Sequence, residues 1–590
     1  MLPRLNPFEF FTETDGSPLD GGRVYIGTVN QNPKTSPITV YFDSAMTIPA
    51  PQPLQTVGGR IVKNGAAASI YSNAASFSLL VENSKSQQVS YNAAVESDAA
   101  DLRSDLALSS GASMIGFLQS GTGAIARTIQ AKERDLVSVK DFGATGDGST
   151  DDSTALNVAA TAAKAAGVGL LVPAGLYVTT TPWVIPVGVP IVGVGQSWPV
   201  PGTNPTAKLY GAVIWKKHGG NGITITGGSA YDSAAPIQDI TIISNKTTWP
   251  TGNGFVMDKA TRCHLIDCNV WSVGGDSFVI GVTAGDVTGH NYLTRCYSNN
   301  PGGANFRIRA KWTRCDTIVS DGGTWGAVLD SAPETEIKSW HFEGYSTGCI
   351  DVTNGSTSFA ATGKGFMGNT ASALIGIRIK NDAGNAGARI ENVYGAGGGT
   401  ASSIGIDVVG ASAEDAMISG CLLEGWATGV RDTSTNTHIV DNKFYNNTLP
   451  ISAGGTGSMI RGNRTQNTTG GWSIDHVAGG SGIWEANNLD QAIKATSSGV
   501  NGNFGTNLVT RNKGFKTRSA GITPGVSSSP YTFPHGLSGI PSTQLVSLVG
   551  LSGATNIYMS SDATNTSIYW TGAGTFQFTW DVALTCERQF

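Results

Sequence analysis

Between Gly254 and Asp475 the chain repeats itself, and few folds accept such a repeat. Runs such as CHLIDCNVW from Cys263, NYLTRCYSNN from Asn291, TEIKSWHFEGYSTGCIDV from Thr335, ARIENVYG from Ala388, AMISGCLLEGWATGVRD from Ala416, THIVDNKFYNN from Thr437 and SMIRGNRTQNTTG from Ser458 share one plan. Each is a strand-like run, then a polar or Gly turn, then a second short strand. The starts recur at intervals of roughly 20–30 residues, the period of a solenoid. Parallel strands stacked about 4.8 Å apart would place corresponding side chains in ladders, with Val, Ile, Leu, Cys and Phe inward. Asn269, Asn392, Asn442 and Asn463 fall at similar turn positions, where stacked amides are expected to hydrogen-bond from rung to rung.

Composition agrees with strands and turns rather than helices. Only 14% of residues are charged and 78 are glycine, against about 25% charge in a typical domain. A net charge of -5 gives no general attraction to nucleic acid or anionic lipid. No apolar run reaches the ~20 residues needed to span a bilayer, and MLPRLNPFEFF lacks the apolar core of a signal peptide. The expectation is synthesis in the cytoplasm, with no membrane insertion and no nucleic-acid partner. The seven cysteines (263, 268, 296, 315, 349, 421, 586) include no CxxC pair, so buried free thiols are expected, with no metal and no cofactor.

Residues 1–92 read as a compact all-β unit, with GGRVYIG, ITVYFD and GGRIVKNGAAASIY as strands and hairpins. The motifs NPFEFF, PLDGGRVYIG, SPITVYFD, QPLQTVGGRIV and SFSLLVEN resemble the head-binding domain of short-tailed phage tailspikes. Residues 93–137 turn rich in Ala, Ser and Asp; VESDAADLRSDLALSS is helix-compatible, and the segment resembles a tailspike neck. From Ser138, SVKDFGATGDGSTDDSTALNVAATAAKAAGVGLLVPAGLYVTT places a Gly/Asp turn and N-caps at Ser149 to Asp152 before an Ala-rich helix ending near Gly167. It resembles the N-terminal cap of pectate-lyase-type right-handed β-helices. Asp147, Asp151 and Asp152 read as turn and cap groups. After Arg511 the pattern becomes alternating strands with short turns, a small antiparallel domain in which Trp570 and Trp580 read as core. The expected fold is all-β: a right-handed parallel β-helix over 138–512, a β-rich head-binding domain over 1–92, a neck over 93–137 and a C-terminal β-domain over 513–590.

The resemblance implies a homotrimeric virion protein whose residues 1–92 join phage tail proteins. It further implies a rod that binds and cleaves a bacterial surface polysaccharide, O-antigen or capsule, at the host cell surface. Glycoside hydrolysis needs two carboxylates about 5–9.5 Å apart, which side chains on adjacent rungs can supply. The richest acidic stretch, Cys315 to Asp351, offers Asp321 one rung from Glu343. Aligning AVLD with CIDV sets Asp330 near Asp351. Trp325, Trp340 and Tyr345 are expected to stack on sugar rings, and Arg314 to contact the ligand. EGYSTGCID from Glu343 is echoed by EGWATGVRD from Glu424, 81 residues later (424 − 343), about three rungs away and too far for one catalytic pair. Arg295, Arg307, Arg309, Lys311 and Arg314 could grip an acidic polysaccharide for a lyase. GDSF at Gly275 is the only esterase hint, and a non-catalytic receptor-binding spike is the rival outside catalysis.

Overall fold

The computed structural model describes residues 9–74, 76–96, 105–195, 211–227, 235–283, 286–368, 375–380, 386–411, 413–477, 480–494, 508–510, 512, 518–524, 526–534, 541, 543–549, 554–562, 565–572 and 575–583. It divides into two units, residues 1–135 and 136–590.

The first unit is built on a six-stranded antiparallel sheet. Its strands, in spatial order, are Ala66–Ala67, Arg60–Lys63, Leu54–Val57, Arg23–Gly27, Ser76–Glu82 and Gln88–Glu96. Val24, Ile26, Phe77 and Val81 alternate inward and bury their side chains with Leu19, Val40 and Ile70. The last strand takes in Val95 and Glu96, the first two residues of the helix-compatible stretch, and 97–104 lie outside the described residues. A short helix stands further on, at Ile129–Glu133, where the Thr128 hydroxyl accepts from the Ala131 amide at 3.1 Å.

The second unit contains the right-handed parallel β-helix that the repeats require. Three long parallel sheets of 15, 13 and 13 strands run along it, here called the first, second and third. One rung uses Arg314–Asp316, Val319–Asp321 and Trp325–Asp330; the next uses Glu336–Lys338, His341–Glu343 and Gly348–Thr353. Period-2 alternation decides what faces inward. In the second sheet Ile242, Val270, Ser298, Ser320, Phe342 and Met367 are successive register partners, and all are buried. Phe255, Phe278 and Phe306 stack with centroids 5.5 and 5.1 Å apart. Such contacts contribute roughly 0.5–1.5 kcal/mol each beyond the area they bury.

The N-terminal end is covered by the helix Ser153–Ala166, which buries Leu156, Ala159, Ala160 and Ala163 and stops at Gly167, φ 67°. Its acids act as turn groups. Asp147 accepts from the Ser149 and Thr150 amides, Asp151 from the Ser153 amide and hydroxyl, and Asp152 from the Thr145 amide at 2.7 Å. The amide ladder exists with Asn442 and Asn463 in it as expected, and with Asn487 and Asn512 where Asn269 and Asn392 were expected. Asn442 donates to Asn463, Asn463 to Asn487 and Asn487 to Asn512, side chain to side chain, at 3.1, 3.0 and 2.8 Å. Asn269 instead sits in a strand opposite Tyr297, and Asn392 is a turn residue at φ 59°. Six cysteines are buried free thiols, and Cys586 lies outside the described residues. Burial raises their pKa, to about 12 at Cys296. Beyond the solenoid, two three-stranded antiparallel sheets enclose Trp570, Phe576 and Phe578, with Trp580 partly buried beside them.

Candidate functional site

Ladder geometry turns the outer faces of the sheets into columns of charge, and the columns differ. On the third sheet Arg307, Val328, Asp351, Arg378, Asp407 and Arg431 follow one another rung by rung. The charges cancel pairwise. Arg378 grips Asp351 through two hydrogen bonds of 2.8 Å, and Arg431 grips Asp407 through two of 2.7 Å. Arg309 pairs with Asp330 at 2.9 Å, and Arg307 pairs with Asp276. Burial alone would raise the Asp330 carboxyl, but donation from Asn354 and Arg309 brings it below its usual value.

The second sheet carries the other kind of column. Trp271, Asn299, Asp321 and Glu343 are successive partners at the last position of its strands. Asp321 and Glu343 are thus one rung apart, with backbones about 4.8 Å from each other. Among the described residues no lysine or arginine pairs with either. Asp321 accepts from the Asn299 amide at 3.2 Å, and the same amide donates to the Tyr297 hydroxyl at 3.0 Å. Glu343 has His341 as neighbour, Nε2 to Oε2 3.3 Å. Burial raises the Asp321 carboxyl and the negative charge of Glu343 adds to it, against opposing contributions from Asn299 and His341. Two carboxyls with unlike environments one rung apart can serve as proton donor and as base or nucleophile.

Beside the acids runs an aromatic row on the same face. His341, Phe366 and Tyr394 occupy one column, with ring centroids 4.4 and 5.6 Å apart. Past Glu343 the acid column drops to Gly368 and Ala396 and rises again at Glu424, whose carboxylate accepts from the Tyr394 hydroxyl at 3.1 Å. Between the two acids the column carries only small side chains, and the Phe366 ring leans over Gly368, its Cε1 2.7 Å from where a Cβ would stand. Glu424 stands three rungs from Glu343 along the strand order, about 14 Å.

The remaining candidates are dispersed. Asp330 lies opposite Thr353 and Asp351 opposite Val328, so the expected alignment of these two acids is two residues out of register. Both also belong to arginines of the third sheet. Asp351 is only 7% exposed. Trp340 and Tyr345 are buried at 2% and 0% exposure, out of reach of a sugar ring. The echo between Glu343 and Glu424 has a structural cause: Gly344 and Gly425 both adopt φ 70°, turning Tyr345 and Trp426 into the core while the acids stay outside. Gly344 has a second reason, because a Cβ there would meet Asp321 Oδ1 at 2.5 Å. Trp325 is half-buried on the third sheet with the Arg378 guanidinium 5.0 Å over its ring. Arg314 is on the first sheet, 3.3 Å from Glu336. The basic cluster is likewise divided: Arg295 pairs with Asp267 at 2.5 Å, and Lys311 lies 4.2 Å over Trp312. Sequence reasoning missed Asn299, Phe366 and Tyr394. Their signal is positional, since they flank the inward residues Ser298, Met367 and Gly395 of the same repeats.

Comparison with known proteins gives three findings. Residues 136–349 match the family model described as rhamnogalacturonase A/epimerase, pectate lyase-like. The chain is 30% identical over 199 residues to the tail spike protein of Shigella phage Sf6, a match covering 30% of this chain and 32% of that relative. It thus spans about a third of the curated relative's length. Among solved structures it is similar to a mutant tailspike of E. coli bacteriophage HK620 in complex with a hexasaccharide, at TM-score 0.50 and 10% identity, covering 83% of this chain and all of that one. A second HK620 mutant complex, with a pentasaccharide, also gives 0.50 and 10%, covering 82% of this chain and all of that one. The chain resembles phage tailspikes with a pectate-lyase-like β-helix, and its fold is theirs.

Proposed function

We propose that this chain is a phage tailspike that binds and depolymerises a bacterial surface polysaccharide, O-antigen or capsule, by endo-glycosidic hydrolysis. Asp321 is the proton donor and Glu343 the base or nucleophile. The observation that carries this reading is the pair itself: two in-register carboxyls on an exposed sheet face, with no arginine or lysine between them. Their separation of one rung suits the spacing such a pair needs, about 5–9.5 Å between carboxyls. His341 stands beside the Glu343 carboxylate, Asn299 holds Asp321, and Phe366 with Tyr394 offers aromatic faces to a chain lying along this sheet face. Residues 1–92 attach the spike to the virion, and three copies assemble about a common axis. The relatives support this, being named as tail spike proteins and, for HK620, held with oligosaccharides.

A lyase loses its sequence argument, because the basic residues meant to abstract a proton are divided among sheets and mostly ion-paired. The test is to incubate the protein with the polysaccharide of its host and analyse the products. New reducing ends without ultraviolet-absorbing unsaturation are expected. Unsaturated ends would establish a lyase, released acetate with an intact chain a deacetylase, and an unaltered polymer a binder without turnover.

A further inference from the structure

Away from the acid pair, a groove of about 610 Å³ opens along the turns that lead into the first sheet. One wall is a strand column, Arg389, Met417 and His438, partners on three successive rungs. The other is a turn column, Ser358, Gly387, Asp415 and Asn436, with φ of 54, 71, 54 and 57°. Gly387 makes the notch: a Cβ there would find nothing nearer than Ser358 Oγ at 3.7 Å. Arg389 is exposed and makes no ion pair among the described residues, unlike the arginines of the third sheet.

We infer that this groove is a second saccharide-binding site, taking an uncharged pyranose unit with vicinal hydroxyls. The thioether of Met417 and the ring of His438 supply an apolar floor for the C–H face of a sugar. The guanidinium of Arg389 presents a planar fork of donors, and Asp415, Asn436 and Ser358 supply acceptors and further donors around it. The lining holds one arginine and one aspartate, so the groove has no excess of fixed charge and suits hydroxyls rather than an anion. It stands on a different sheet from Asp321 and Glu343, and the inference holds whether or not those acids cleave anything. A spike with two such sites per chain keeps hold of a polymer while the acid face works on another segment.

The test uses the full chain carrying Asp321→Asn and Glu343→Gln, so that nothing turns over. It is mixed with methyl α-pyranosides of glucose, galactose, mannose and rhamnose, read one at a time by saturation-transfer NMR. At least one glycoside is expected to give a signal that falls fivefold or more when Arg389→Ala and His438→Ala are added, and by a smaller factor with Arg389→Lys, which keeps the charge but loses the fork. Both positions are at the surface, and an unchanged melting temperature verifies the fold. The inference is overturned if no glycoside gives a signal, or if every signal survives the groove substitutions.

Discussion

The outer faces of the second and third sheets are made by the same device and do opposite things. Each stacks one residue per rung. In one column of the third sheet an arginine follows an acid on the next rung, as Arg378 follows Asp351 and Arg431 follows Asp407. On the second sheet the rung after Asp321 is another acid, Glu343. A solenoid therefore compensates charge or concentrates it according to a single side-chain choice per repeat, with the backbone unchanged. On the compensated face the Asp330 carboxyl is held below its usual value, whereas on the uncompensated face Asp321 is pushed toward its protonated form. A strained or perturbed group on an otherwise regular surface is where chemistry is to be sought.

The comparison breaks most visibly at the acid pair. Glu343→Gln, or Asp321→Asn, should lower turnover of the polysaccharide by about 10²–10⁴-fold, the range for losing a general acid or base, with oligosaccharide binding and thermal stability retained. Full turnover in either variant removes that residue from the mechanism. On the third face the same kind of substitution should act on stability instead. Arg378→Met leaves Asp351 buried without its partner, at a cost of roughly 3–5 kcal/mol, readable as a lower denaturation midpoint. Turnover per folded molecule should stay within twofold.

Much of this division is legible in the amino-acid sequence. The repeat specified the rungs, and the spacing of 22 residues between Asp321 and Glu343 (343 − 321) places them side by side once the rungs are accepted. The alignment of Asp330 with Asp351 failed for a physical reason: register in the third sheet is set by inward Ala327 and Leu329 opposite Ile350 and Val352, not by matching acids. Trp340 and Tyr345 were misread because residue type cannot say which way a side chain turns at a corner. A left-handed Gly344 sends Tyr345 into the core. Phe366 and Tyr394 were missed because an aromatic in a hydrophobic repeat looks like core until its parity against Met367 and Gly395 is known.

A smaller effect would sharpen the contrast by writing third-face logic onto the second face. Ala396 is the register partner of Glu424, so Ala396→Arg should create an acid–arginine pair of the third-sheet kind and place a long side chain on the face between Glu343 and Glu424. Oligosaccharide affinity should weaken roughly tenfold, about 1.4 kcal/mol, with kcat little altered. Unaltered affinity by calorimetry would mean that the ligand does not run along this face.

The smallest effect concerns Asn299, whose amide donates to Asp321 at 3.2 Å. Asp321 is raised by burial first and by Glu343 second, and Asn299 works against both by favouring the ionised form. As the proton donor, Asp321 must be protonated, so its folded-state pKa sets the alkaline limb of kcat/KM. Asn299→Ala removes a stabiliser of the carboxylate, so that pKa rises and the alkaline limb moves to higher pH. The stability linkage has the matching sign. A carboxyl whose folded pKa lies above its unfolded value keeps more protons in the native state, so its contribution to stability is largest at low pH and falls as pH rises through the interval between the two values. Asp330, lowered in the fold, does the reverse: its contribution is present above its unfolded pKa and is lost as pH falls through the folded one. Melting curves taken across the acid range should therefore separate Asp321→Asn, which gains relative to the parent as pH rises, from Asp330→Asn, which loses. An alkaline limb that moves downward in Asn299→Ala would give the proton-donor role to another group.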